Sequence, residues 1–220
     1  MKERKLANVL VVMISSILFW TACSTTWISE AEQIVAALIP ATANLMTLVA
    51  TLQGKNVSAG DLQTIQNAGT QAEADMQLLA SLIAQYQKAE ATAQPGILNQ
   101  IQVAMVAVQS NLNGLLTSLH IKDAATQAKV SAVVSVLISE VESMAAIVPI
   151  VSGSASPGRM KLEAMQEAKR APLTASEFVR SYNATMTAKS GNAALDHATA
   201  GLKIHAHGKL ERWASAGLLQ

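Results

Sequence analysis

The chain has 220 residues and a formal net charge of +1; half of its residues are hydrophobic, 14% are charged and only 3% are aromatic. Soluble domains usually carry about 25% charged residues. The apolar half is mostly Ala, Leu, Val and Ile, which points to close-packed helices and away from an aromatic-rich β-sandwich. Cys23 is the single cysteine, so an intramolecular disulfide is excluded, and the body beyond it has neither a thiol nucleophile nor a Cys-based metal site.

Charge is distributed unevenly. Residues 24–150 hold four Lys/Arg and nine Asp/Glu, a net of −5, whereas residues 151–220 hold nine Lys/Arg and five Asp/Glu, a net of +4. A basic tail on an acidic body implies either two regions with different partners or a tail that folds back on the body.

The first element is a targeting signal. Lys2, Arg4 and Lys5 precede an apolar run from Leu6 to Trp20, and Thr21-Ala22-Cys23 follow. A charged n-region, a short apolar h-region and a small-residue cleavage site occur in that order. The segment resembles the signal peptide and lipobox of a bacterial lipoprotein precursor, over about the first 24 residues. The resemblance implies cleavage before Cys23, with Thr21 and Ala22 at the cleavage site and acyl chains on the Cys23 thiol. Trp20 stands where such signals usually have an aliphatic residue. Ser24 after the cysteine carries no inner-membrane retention signal of the Asp kind. The resemblance therefore implies an outer-membrane or periplasmic-face location in a two-membrane cell. Two other readings stay open: an uncleaved anchor extending to Thr26, and plain secretion after Ser24.

Residues 23–33 are expected to be a tether, and residues 34–150 a bundle. Ile34, Leu38, Ala41, Leu45, Leu48 and Leu52 recur at steps of three and four, with Pro40 as a kink or the true helix start. Gly54 to Gly60 breaks the pattern, with Ser58 or Asp61 as candidate N-cap. Leu62, Ile65, Gly69, Ala72, Met76, Leu79, Ile83 and Tyr86 form a second stripe, ended by Gln94-Pro95-Gly96. The third runs through Leu98, Ile101, Met105, Val108, Leu112, Leu115 and Leu119. The fourth follows the N-cap Asp123 through Val130, Val134, Leu137, Val141, Met144 and Val148, and Pro149 stops it. Short loops favour antiparallel neighbours. The predicted fold is thus all-α: an antiparallel up-down-up-down four-helix bundle with coiled-coil-like heptad packing and a partly helical C-terminal appendage. Asn44-Leu45, Leu48 and Leu52 match Asn111-Leu112, Leu115 and Leu119 at an offset of 67 residues, the pattern a duplicated hairpin would leave.

Residues 151–173 have the composition of a linker, with Gly153, Pro157, Gly158 and a Lys169-Arg170 pair open to proteolysis. Residues 174–220 form a basic, partly helical tail. Thr174 and Glu177 have capping-box spacing ahead of Phe178, Tyr182 and Met186; Gly191-Asn192 ends that helix, and Leu202 to Trp213 is a further short one.

Motifs for chemistry are sparse. His205 and His207 are weak metal candidates, because a site needs a third ligand and the sequence offers only Asp196 and His197 nearby. No nucleophile elbow, Walker A loop or dinucleotide fingerprint occurs, and no Glu has a His three residues later. Glu140 and Glu142 point about 200° apart on one helix and are expected to be solvated. No enzymatic activity, cofactor, metal or specific nucleic-acid partner is expected. The expected role is structural or interaction-based, in an envelope lipoprotein that meets the membrane through Cys23 and engages a protein partner or itself. Two alternatives are a membrane-perturbing bundle, through Val130 to Val151, and a carrier with an apolar ligand at Gly69 and Ala72.

Overall fold

The computed structural model describes residues 26–48, 52, 57–118, 120–150 and 173–205. Among these the secondary structure is entirely helical: α1 (Thr26–Leu48), α2 (Ala59–Lys88), α3 (Gln94–Ser118), α4 (Ala124–Ile147), α5 (Ala175–Thr187) and α6 (Ala193–Ala200). Residues 1–25, and with them the expected signal segment and the expected cleavage residues Thr21, Ala22 and Cys23, lie outside the described residues.

The helix ends follow from local chemistry. Ser58 caps α2 by accepting from the Asp61 amide, and Asp123 caps α4 by accepting from the Thr126 amide. Each side-chain oxygen takes one of the amides a helix start leaves without a partner. Thr174 and Glu177 close a reciprocal capping box at the start of α5. Asn192 closes the preceding turn at Gly191, which adopts a φ of 86°, and caps α6 through the Leu195 amide.

The core is built from the predicted stripes. Ile34, Leu38, Ala41, Leu45, Leu48 and Leu52 are buried, as are every named stripe residue of α4 and those of α3 from Leu98 to Leu115. Leu119 lies outside the described residues. α1 departs from expectation at its start. Helix is present from Thr26, and Trp27, Ile28 and Ala31 are buried, so most of the expected tether is part of the helix and its core face. Pro40 lies inside α1 rather than at its beginning.

Cross-helix contacts run in opposite order along successive helices. Between α1 and α2, Trp27 meets Tyr86 edge-on at 5.2 Å, Glu32 accepts from Gln87, and Thr70 donates to the Met46 sulfur at 3.4 Å. Between α2 and α3, Asn111 donates to Asp75 at 2.9 Å, and Asp61 accepts from the His120 amide at 3.1 Å. Between α3 and α4, Gln109 donates to Glu142 at 3.0 Å and Gln102 to the Pro149 carbonyl at 2.7 Å.

Two glycines separate packing from propensity. A Cβ on Gly69 would lie 3.2 Å from the Leu45 Cβ and 3.3 Å from the Met46 sulfur, so α1 approaches α2 closely there. A Cβ on Gly114 would meet nothing within 4 Å. Gly114→Ala is therefore expected to stabilise by about 0.5–1 kcal/mol through helix propensity alone. Gly69→Leu is expected to destabilise by about 1–3 kcal/mol through overpacking. Urea titrations of the two variants against the parent chain check both signs.

Candidate functional site

Over its described residues, 173–205, the C-terminal appendage is docked on the helices before it. Phe178, Tyr182 and Met186 of α5 are fully buried and Val179 nearly so, so the amphipathic stripe set by the capping box finds a core surface. Of the two readings of the basic tail, the one in which it folds back on the body holds over residues 173–205. The predicted helix from Leu202 is not seen over its described residues. The second short helix lies earlier, at Ala193–Ala200, and Leu202 to His205 are non-helical. The Asn183 side chain holds the Ile204 backbone instead, Nδ2 donating to its carbonyl at 2.7 Å and Oδ1 accepting from its amide at 2.9 Å.

Three polar anchors fix α5. At its start, the Leu173 amide donates to Ser143 Oγ of α4 at 3.1 Å. At its middle, Tyr182 Oη accepts from Asn44 Nδ2 of α1 at 2.9 Å, and the same amide group donates to the Leu202 carbonyl at 2.7 Å. Burial pushes the Tyr182 phenol well above its ordinary range, and the Asn44 bond opposes this in part. At its end, Lys129 Nζ of α4 donates to the carbonyls of Thr185, Met186 and Ala188 at 2.7, 2.9 and 2.6 Å. A helix C-terminus presents carbonyls without intrahelical partners and a partial negative charge, and an ammonium has three donors to meet them. Lys129 is only 5% exposed, and desolvation lowers its pKa while the nearby Asp196 charge opposes that.

Between the Ser143 and Lys129 anchors lies Glu140. It was expected in solvent with Glu142; instead it is fully buried, and neither of its carboxyl oxygens has a hydrogen-bond partner. Glu142 is half-buried and accepts from Gln109 of α3. Burial first, then the charges of Glu177 on α5 and Glu30 on α1, push the Glu140 pKa up from 4.5 to about 8. A buried carboxylate without compensation is costly, so the group is carried as the neutral acid. The first turn of α5 offers it no relief. The Glu177 amide is spent on Thr174 Oγ1, and the Thr174 amide on Glu177 Oε2.

The heptad reading missed Glu140 because it assigned α4 one buried stripe. α4 is buried on a second side as well: Lys129, Val133, Glu140 and Ser143 are all buried beside the predicted seam. The signal for this was present in Phe178, Tyr182 and Met186, an apolar face that needed a surface to cover.

His205 is exposed, His207 lies outside the described residues, and among the described residues no group of three His, Cys, Asp or Glu could hold a metal ion. The small residues Gly69 and Ala72 admit α1 rather than leaving room for a ligand at Gly69. α1 and α4 are long and apolar enough to cross a membrane, with about half of each turned into the core. No family of known proteins matches this chain, and no curated protein and no solved structure matches it.

Proposed function

We propose that the chain is an exported envelope lipoprotein, tethered by acyl chains on Cys23, with a structural or protein-interaction role and no catalysis. The observation that carries this reading is the order of the first 23 residues: basic residues, a 15-residue apolar run, then Thr21-Ala22-Cys23. In this reading α1 to α4 form an up-down-up-down antiparallel bundle with coiled-coil-like packing, which α5 and α6 cover on one side. The opposed order of the cross-helix contacts supports that arrangement. A bundle that closes its core with its own C-terminal helix leaves its polar faces for a partner or a second copy.

Intact mass spectrometry of the protein from its native membrane fraction tests the reading. The expected species lacks residues 1–22 and carries acyl chains, and Cys23→Ser is expected to block both acylation and cleavage. An uncut, unacylated wild-type chain in the membrane would refute it.

A second reading, membrane perturbation, draws on the neutral state of Glu140, which removes one of the charges that would oppose burial of α4 in a bilayer. Dye release from anionic liposomes distinguishes it: leakage is expected under this reading and none under the first.

A further inference from the structure

We propose that α5 and α6 are a proton-dependent clasp on the α1/α4 face: the clasp closes over a protonated Glu140, and loss of that proton drives it open. The geometry carries this. Glu140 is fully buried, both its oxygens lack partners, and it sits between two of the anchors that hold α5 to α4. Burial without a donor excludes the anion from the closed form.

The surrounding charges add to that exclusion. From α5 the charge of Glu177 acts on it, and Glu177's own partners are Thr174 and, by charge, Arg180. From α1 the charge of Glu30 acts in the same direction. On α4 itself, Glu142 is turned to α3, and Lys129 spends its three donors on the end of α5. Among the described residues no cation is therefore directed at Glu140, and there its anion would be satisfied only by water. The least costly route for water is to lift α5, a 13-residue helix with four buried side chains, rather than to part α1 from α4.

Opening then releases one proton at every pH between the ordinary carboxylate range and about 8. The opening constant rises about tenfold per pH unit across that window and levels off above it.

Native-state hydrogen exchange of the full chain, corrected for intrinsic exchange rates, tests this from pH 5.5 to pH 8. In the wild-type protein, α5 amides are expected to be less protected than those of α2 and α3 at every pH, and to lose about 150-fold in protection across the range. In Glu140→Gln and Glu140→Leu, α5 is expected to show a flat profile. Two variants are used because the amide of Gln keeps polar atoms in the site and Leu does not. The proposal is overturned if wild-type α5 protection is flat with pH, if α5 and α2 share one protection factor, or if both variants keep the wild-type slope.

Discussion

A Glu140→Leu variant is expected to be more stable than the wild-type protein by about 3 kcal/mol at pH 7. The sign follows from proton linkage. Glu140 has a folded-state pKa of about 8 against an ordinary 4.5, so between these values the folded chain holds a proton that the unfolded chain has lost. Stability therefore falls as pH rises through the window, by about 1.4 kcal/mol per unit. Leucine keeps the volume, needs no proton and no hydrogen-bond partner, and removes the slope. Four carboxylates act in the opposite direction. Hydrogen bonds hold Asp61 (from Ser58 and His120), Asp123 (Thr126), Glu177 (Thr174) and Asp196 (Ser190) below the usual carboxylate range. Their contribution is present above that range and is lost as pH falls through the lowered values. The wild-type protein is thus expected to be most stable near about pH 5, and the variant to stay at its plateau up to about pH 8. Urea titrations at intervals of pH measure both curves. A wild-type stability that is flat from pH 5 to 8 would show that Glu140 is not held neutral.

Lys129→Met is expected to destabilise by about 2–4 kcal/mol, among the larger single losses available in this chain. Methionine replaces the buried stem but none of the three bonds to Thr185, Met186 and Ala188. The freed carbonyls then face a choice between staying buried without donors and undocking the end of α5 to reach water. Hydrogen bonds from a charged donor contribute about 1.5–3 kcal/mol each, but undocking caps the total loss at the docking free energy of α5. The ammonium is desolvated in the native state, which offsets part of its contribution. Thermal and urea unfolding give the loss. Hydrogen exchange gives its location, with α5 and α6 amides expected to lose protection first. A loss below about 0.5 kcal/mol, the ordinary scatter of surface substitutions, would mean that water meets these carbonyls equally well.

The first four helices were legible because each repeats apolar residues at steps of three and four and begins or ends on a residue with a stated backbone role. Ser58, Asp123 and the Thr174–Glu177 pair all cap as their types and spacing imply. The start of α1 was not legible. Trp27, Ile28 and Ala31 stand in a stretch with Ser29, Glu30 and Glu32, and only their packing, Trp27 against Tyr86, marks them as core. The matched residues Asn44 and Asn111 show the same limit. They share a helical context and an offset, yet Asn44 bonds to Tyr182 and Leu202, and Asn111 to Asp75.

By itself, then, the sequence determined the bodies of α1 to α5, the caps of α2, α4 and α5 and one inward stripe for each, since these depend on near neighbours and a fixed period of about 3.6 residues. Only the tertiary structure decided that α5 lies against α4 and α1. That docking is set by residues from 30 positions apart, Ser143 and Leu173, to 138 apart, Asn44 and Tyr182, and no local pattern encodes it. The same docking removes water from Glu140, so the protonation of one carboxyl group is a property of the assembled fold and not of the segment that carries it.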